Sequence, residues 1–170
     1  QYLAYRELAA AVKYHRAKSG SLVMLDVRTG EVMAMAGYPS YNPNNRKGLK
    51  GQYFRNRAVT DVFEPGSTMK HFTVAAGLES GNYNPHSAIS TTPGYYKVGE
   101  HTIRDMRNYG NIDVSNVITK SSNVGASKIA LSLEPEEYWD VLSRFGFGQL
   151  TGSCFPGESS GNLNPFNSWS

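Results

Sequence analysis

The chain has 170 residues, of which 39% are hydrophobic and 17 are glycine, and these values are typical of a globular protein with one substantial core. Charged residues make up 18%, which excludes disorder throughout the chain, and the single cysteine, Cys154, excludes a disulfide framework. The formal net charge of +3 is too small to predict nucleic-acid binding, and no run of residues approaches the ~18 consecutive apolar residues of a membrane-spanning helix.

The first predicted elements are a helix and a hairpin. Residues 2–18 predict an amphipathic helix that stops at Ser19-Gly20. A hairpin follows over residues 22–36, with its turn at Arg28-Thr29-Gly30. The apolar residues that alternate along its two strands are Val23, Leu25 and Val27, then Val32, Ala34 and Ala36. Residues 37–48, rich in Gly, Pro and Asn, predict a loop.

The second half of the chain predicts mainly helices. Residues 67–80 follow Pro65-Gly66, a typical lead-in to a helix. Residues 82–111 read as irregular, with a short hairpin around 95–103. Three further helices are predicted at residues 114–120 with Asp113 as N-cap, at 123–133, and from Pro135 to near Gly146, followed by a loop-like tail over 146–170. The fold class that follows is α+β, with an antiparallel sheet of which only two strands are clear.

The first segment that indicates chemistry is Ser67-Thr68-Met69-Lys70. A serine and a lysine three residues apart share one face of a helix, so the amine can reach the hydroxyl. Lysine can serve as the base that a serine nucleophile needs if its surroundings favour the neutral amine. Backbone N–H groups at the start of the helix can stabilise a developing oxyanion. The alternative is that Ser67 is only a helix N-cap and Lys70 a solvated surface residue.

The second such segment is Ser121-Ser122-Asn123, at the predicted junction of two helices. Its hydroxyl can relay a proton and its amide can orient a substrate carbonyl. The alternative is an ordinary helix N-cap. The two segments in this order, after a Glu64-Pro65-Gly66 lead-in and an upstream hairpin, are far more specific than either alone.

With these motifs the chain resembles the penicillin-binding transpeptidases, which share Ser-x-x-Lys, Ser-x-Asn and Lys-Thr-Gly with serine β-lactamases. More narrowly, it is similar to the class B, division-specific enzymes that cross-link septal peptidoglycan. The stretches that carry this resemblance span the chain and include 25–35, 41–45, 55–70, 120–125, 155–158 and 161–163. The resemblance implies a penicillin-binding/β-lactamase-like fold, of which residues 1–170 are the N-terminal portion of one domain.

The resemblance also implies roles for four residues. Ser67 would be the acylated nucleophile and Lys70 its base. Ser121 would pass a proton toward the leaving D-alanine, and Asn123 would hydrogen-bond the backbone of the donor peptide. The implied substrates are peptidoglycan stem peptides, with β-lactam antibiotics as acylating mimics, and the reaction needs no cofactor or metal. The parent protein would be anchored in the bacterial inner membrane, face the periplasm, and contact division-complex membrane proteins.

Two features depart from the family pattern. The family usually has proline after the lysine, whereas this chain has His71, which we interpret as a tolerated exposed residue; the alternative is an electrostatic influence on Lys70. No Lys-Thr-Gly occurs in the 170 residues, and the family places it beyond Ser170. The chain opens on Gln1 and closes on Ser170 without structural signals, so we expect a portion of a longer protein that is poorly active alone.

Two rival functions remain open at this point. A serine β-lactamase or β-lactam sensor shares the motifs, but class A lactamases use a glutamate-positioned water, and these enzymes favour aspartate where this chain has Ser122. A non-catalytic division-scaffold module is the rival from another class, which the sequence after Ser170 would discriminate. The four histidines show no ligand clustering, so no metal is expected.

Overall fold

The computed structural model describes residues 1–45, 47 and 51–169. The chain divides into two units, one formed by Gln1–Val62 with Gly152–Ser159, and the other by Phe63–Thr151 with Ser160–Ser170. The assignment of residues 1–170 to one portion of a single domain stays a prediction. None of the described helices is long and apolar enough to cross a membrane.

The first unit is built from a helix packed on a hairpin. It contains α1 (Tyr2–Tyr14), β1 (Gly20–Leu25), β2 (Val32–Tyr38), a 3₁₀ turn (Gly51–Tyr53) and α2 (Arg57–Thr60). Strands β1 and β2 pair antiparallel, and Asp26 accepts hydrogen bonds from the N–H groups of Arg28 and Thr29 at 2.8 and 3.2 Å in the turn. The predicted hairpin is thereby confirmed. Part of the predicted loop over 37–48 lies outside the described residues, and Gly37 and Tyr38 extend β2.

Two predictions for this unit were wrong in detail. Helix α1 ends at Tyr14, because Arg16 takes a left-handed conformation (φ 52°) and the N–H of Ala17 bonds the carbonyl of Val12 at 3.0 Å, which closes a Schellman motif. Gly20 starts β1 instead of stopping the helix, and a Cβ there would lie 2.7 Å from Val12 Cγ2. Val27 lies outside the strand and is 98% exposed. The buried face comprises Ala4, Ala34 and Ala36, packed with Leu8 and Leu22.

The second unit carries most of the helices. It contains α3 (Met69–Glu79), preceded by a 3₁₀ turn (Gly66–Thr68), then α4 (Val114–Thr119), α5 (Asn123–Ala130), α6 (Pro135–Arg144) and a final 3₁₀ turn (Phe166–Ser168). Asp113 caps α4 and Pro135 occupies the first turn of α6, as predicted. Helices α4, α5 and α6 end at Thr119, Ala130 and Arg144, slightly earlier than predicted. The core of this unit comprises Val74, Ile89, Ile112, Val114, Val117, Ala126 and Ile129.

Two short strand pairs complete the second unit. Strands β4 (Tyr95–Val98) and β5 (His101–Arg104) form the predicted hairpin. Strands β3 (Ala88–Ser90) and β6 (Asn111–Asp113) pair antiparallel across a segment that was predicted to be irregular. They are three residues long, too short for an alternating pattern to appear in the sequence. All three strand pairs of the described chain are antiparallel, in agreement with the predicted α+β class.

Candidate active site

Ser67 and Lys70 are placed by the start of α3. Ser67 lies in the 3₁₀ turn Gly66–Thr68, and Lys70 lies in the first turn of the α-helix that continues from it. Gly66 has φ 64°, a conformation that favours glycine, so the Pro-Gly lead-in fits the entry into the turn. The Thr68 hydroxyl donates to the carbonyl of Pro65 at 2.8 Å. Ser67 is exposed and Lys70 is half-buried, so the serine is accessible and the amine is partly shielded from water.

Lys70 and Ser67 are connected through Ser121. The Lys70 ammonium donates to the Ser121 carbonyl oxygen at 2.6 Å and to its hydroxyl at 2.9 Å. The Ser121 hydroxyl in turn donates to Ser67 Oγ at 3.2 Å. Ser121 lies 51 positions from Lys70 and 54 from Ser67 in the sequence, and the three side chains form one continuous hydrogen-bonded line. This line can move a proton between the serine and the lysine.

Ser121 holds its place through an unusual backbone conformation. Helix α4 ends in a Schellman motif, in which Ser121 N–H bonds the Ile118 carbonyl and Ser122 N–H bonds the Val117 carbonyl, both at 3.0 Å. Ser121 has φ 52° at the position where glycine is usual. A serine there is about 1–2 kcal/mol less favourable than a residue in an ordinary conformation. The strained residue is the one that bridges the amine and the nucleophile, as is frequent at functional sites.

The middle residue of the motif is the helix cap. Ser122 is fully buried, and its hydroxyl accepts the N–H of Gly125 at 2.8 Å at the start of α5. The expectation that the Ser-x-Asn motif could be only a helix cap thus applies to Ser122 and leaves the other two side chains for other contacts. The alternative that Ser67 is a helix N-cap finds no support. The N-cap positions of the 3₁₀ turn and of α3 are Pro65 and Thr68, and neither makes a side-chain cap hydrogen bond.

Asp105, which follows β5, is a site residue that sequence reasoning missed. Its carboxylate accepts the Ser122 hydroxyl at 2.7 Å and the backbone N–H groups of Asn123 and Val124 at 2.6 and 3.0 Å. It therefore links the Ser121-Ser122-Asn123 segment, the Ser-x-Asn corner, to the β4–β5 hairpin. The only signal in the sequence was an acid two residues beyond the predicted hairpin, and such a signal does not specify a contact 17 to 19 residues away.

Asn123 is held by the same hairpin. Its side-chain amide nitrogen donates to the carbonyl of Arg104 at 2.8 Å, and the residue is exposed. This bond uses one of the two N–H groups of the amide. The second N–H and the carbonyl oxygen can then meet a peptide backbone.

Burial and Asp105 act in opposite directions on Lys70. Partial burial disfavours the charged ammonium and lowers the pKa of Lys70 below its usual value. The negative charge of Asp105 partly opposes this shift. A lowered pKa raises the fraction of neutral amine, the form that accepts a proton. His71 is exposed, with Nδ1 3.2 Å from the carbonyl of Thr68, which agrees with its interpretation as a tolerated surface residue.

Two other kinds of reactive residue are the single cysteine and the possible metal ligands. Cys154 is exposed, and its thiol contacts the carbonyl of Gly152 in its own loop. Among the described residues no group of three or more His, Cys, Asp or Glu side chains is arranged to hold a metal ion. The four predicted residues Ser67, Lys70, Ser121 and Asn123 all lie in the second unit. The structure connects Ser67 and Lys70 through the Ser121 hydroxyl, and the side chain of Asn123 donates to the Arg104 carbonyl.

Residues 20–170 match the family model for the penicillin binding protein transpeptidase domain. Two named relatives are the probable peptidoglycan D,D-transpeptidase PenA of Neisseria flavescens, 44% identical over 99% of this chain, and the peptidoglycan D,D-transpeptidase FtsI of Escherichia coli K12, 46% identical over the whole chain. This chain spans 42% and 29% of their lengths.

Solved structures agree with the sequence relatives. The apo transpeptidase domain of penicillin-binding protein 3 from Burkholderia pseudomallei is 39% identical and superposes with a TM-score of 0.88, with all of this chain and 47% of that one covered. A structure described as a peptidoglycan glycosyltransferase from Burkholderia ambifaria is 42% identical, with the same TM-score, all of this chain and half of that one. The resemblance and the predicted fold are confirmed, and the chain belongs to the penicillin-binding protein transpeptidase domain family.

Proposed function

We propose that this chain carries the nucleophile side of a peptidoglycan D,D-transpeptidase that cross-links septal cell wall through a serine acyl-enzyme. The observation that carries the proposal is the line from the Lys70 amine through the Ser121 hydroxyl to Ser67 Oγ. A serine becomes a nucleophile only when a base can take its proton, and this line supplies one. The relatives' names, which include peptidoglycan D,D-transpeptidase, support the substrate class.

Acylation follows from these contacts. Ser67 Oγ attacks the carbonyl carbon of the penultimate D-alanine, and its proton passes to Ser121 Oγ while the Ser121 proton passes to neutral Lys70 Nζ. Backbone N–H groups at the start of α3 stabilise the oxyanion. When the carbon–nitrogen bond breaks, the nitrogen of the terminal D-alanine takes a proton back from Ser121, which Lys70 replenishes. The products are an ester on Ser67 and free D-alanine.

Transfer reverses the same proton path. The amine of a neighbouring stem peptide attacks the ester carbonyl and loses a proton through Ser121 to Lys70. The Ser67–acyl bond then breaks, and Ser67 recovers its proton along the same line. Asn123 aligns the donor peptide with its free N–H and carbonyl oxygen. β-Lactams would acylate Ser67 in the first step and block the second.

The test of this proposal is covalent labelling of the protein by a fluorescent penicillin. We expect one adduct on Ser67 by intact and peptide mass spectrometry, and no adduct with Ser67→Ala. Thr68→Ala removes the neighbouring hydroxyl and should label normally. Undiminished labelling of Ser67→Ala would contradict the assignment. Rapid loss of the adduct by hydrolysis would instead indicate the rival β-lactamase function.

Two parts of this proposal concern the parent protein. We expect it to be membrane-anchored, with this domain on the periplasmic side, and to contact division-complex membrane proteins.

The 170 residues contain no Lys-Thr-Gly, so we expect the chain alone to acylate slowly. In the family that this chain resembles, the Lys-Thr-Gly strand helps to form the oxyanion hole. Loss of one oxyanion donor alone reduces a rate roughly 10²–10³-fold. The labelling rate of the chain beside that of a longer parent domain measures this difference.

A further inference from the structure

Three cationic side chains beside the site take no part in this mechanism. We call Arg104, Arg107 and Lys120 the cationic rim. Lys120 directly precedes Ser121, so their Cα atoms are about 3.8 Å apart. Arg104 offers its backbone carbonyl to the Asn123 side chain at 2.8 Å. The three residues are exposed, and they belong to the end of β5 with the segment after it and to the α4–α5 junction, which place Asn123 and Ser121 in the site.

Tyrosine rings orient the cationic rim. The Arg104 guanidinium lies 5.5 Å from the ring of Tyr95, its direct partner across the β4–β5 hairpin. The Arg107 guanidinium and the Lys120 ammonium lie 5.4 and 5.8 Å from the ring of Tyr109, which they share. Such cation–π contacts restrict long side chains while leaving most of their N–H donors for other partners. The cations are therefore partly ordered before any ligand binds.

Two of the three acids near the cationic rim in sequence are engaged by backbone N–H groups. Residues 95–128 contain Glu100, Asp105 and Asp113 as their acids. Asp105 and Asp113 are engaged by backbone N–H groups at the starts of α5 and α4. Among the described residues, the ion pairs of the second unit involve Arg144 and none involves the cationic rim. Glu100 is exposed at the turn of the β4–β5 hairpin, but residues 95–128 contain five Lys and Arg side chains against these three acids, so this segment carries a net positive charge.

We propose that the cationic rim binds free carboxylates of the peptide substrate as it enters the site. This inference rests on the proposed function, because that function makes a peptide the substrate. Guanidinium groups hold carboxylates through paired hydrogen bonds, and an adjacent ammonium adds charge without fixed direction. A positive surface beside a reactive serine also accelerates the approach of an anionic ligand at low salt.

The test compares two probes on the full chain by fluorescence anisotropy. One is a dye-labelled tetrapeptide with two free carboxylates, and the other is the same peptide with both carboxylates amidated. We expect the dicarboxylate to bind more tightly, with an affinity that falls as salt is added. Arg107→Gln/Lys120→Gln should weaken its binding about fivefold or more, the effect of two exposed charge contacts. Lys18→Gln/Lys97→Gln removes the same charge elsewhere and should change it less than twofold.

Penicillin labelling of the same samples separates this inference from the proposed function. If Ser67 labels but the two peptides bind equally, or the rim variant binds like the control, the cationic rim has no such role. If Ser67 does not label, the proposed function is contradicted, and the inference that rests on it is contradicted with it. Binding of anionic lipid vesicles that depends on Arg107 and Lys120, without peptide binding, would assign the surface to a membrane and overturn the inference.

Discussion

Ser121 combines a strained backbone with a side chain that joins the base to the nucleophile. Its φ of 52° is left-handed, and its hydroxyl lies 2.9 Å from Lys70 Nζ and 3.2 Å from Ser67 Oγ. Glycine would relieve the strain but would remove the hydroxyl. The two effects can therefore be separated by two substitutions at this position.

We expect Ser121→Ala and Ser121→Gly to lower the penicillin labelling rate alike, by about 10²-fold or more, because both remove the proton relay. Ser121→Gly should be more stable than Ser121→Ala by about 0.5–1 kcal/mol, because glycine adopts the left-handed conformation without steric cost. Urea denaturation and labelling kinetics measure the two quantities. A Ser121→Gly variant that labels at the normal rate would show that the hydroxyl is dispensable.

Asp105 gives a second prediction at the scale of one residue. Its charge raises the pKa of Lys70 against the lowering effect of burial, so Asp105→Asn should lower that pKa further. Neutral amine then persists to lower pH, and the acid limb of the labelling-rate profile should move to lower pH. The substitution leaves the neighbouring side chains of Arg104 and Lys120, and the exposed His71 on the same helix as Lys70, in place.

Asp113→Asn is the matched control for this prediction. Asp113 also accepts a helix N-terminal N–H, that of Asn116 at 2.7 Å, but it belongs to the start of α4. Its pH profile should match that of the unsubstituted protein. Equal shifts in the two variants, or no shift in Asp105→Asn, would mean that Asp105 acts only through structure.

At the scale of elements, the cap of α5 is separable from the chemistry. Ser122 is fully buried, accepts from Gly125 N–H and donates to Asp105. Ser122→Ala should destabilise the protein by about 1–3 kcal/mol, since it removes a cap and leaves a buried acceptor with one donor fewer. Ser121→Ala should cost much less stability. Thermal unfolding of the two variants decides this, and equal destabilisation would contradict the division of roles.

The contact of α3 with α5 gives another prediction. A Cβ at Gly77 would lie 2.6 Å from Ile129 Cγ2, so the helices approach closely there. Gly77→Ala should destabilise by about 1–2 kcal/mol, because overpacking outweighs the gain in helix propensity. It should also slow labelling, since α3 carries Lys70 and α5 begins at Asn123. Leu78→Ala on the exposed side is the control, and unchanged stability in Gly77→Ala would contradict the packing argument.

The sequence predicted elements well where local chemistry decides them. Asp113, Pro135 and the turn after Asp26 act through neighbouring backbone groups, and all three are confirmed. Helix ends were less accurate, because non-glycine residues such as Arg16 and Ser121 take left-handed conformations that composition does not signal. Strands β3 and β6 depend on pairing between distant segments and had no local pattern.

At the scale of the whole chain, the motifs identified the family, but only the structure related them in space. Ser67 and Ser121 are 54 residues apart, and their hydroxyl contact requires the packing of α3 against the α4–α5 junction. The placement of Asp105 under the Ser-x-Asn corner depends on the β4–β5 hairpin and could not be read from spacing. Burial of Lys70, which sets the direction of its pKa shift, likewise exists only in the folded chain.

The last prediction concerns association of the 170-residue chain through its first unit. Among the described residues the β1–β2 sheet has two strands, and Val23 and Leu25 on β1 are 44% and 52% exposed. An exposed apolar face with unpaired edges favours pairing with another copy. The apparent mass in size-exclusion chromatography with light scattering should therefore rise with concentration. Val23→Thr/Leu25→Thr should move that rise to roughly tenfold higher concentration, because it removes apolar contact area but preserves strand propensity.

Leu131→Thr is the control for this prediction, because Leu131 is 56% exposed but belongs to the second unit. It should leave the concentration dependence unchanged, and penicillin labelling of Ser67 should be the same in both variants. A chain that stays monomeric at all concentrations would contradict the prediction. Equal effects of the two variants would mean that association follows general hydrophobicity, with no specific contribution from the hairpin face.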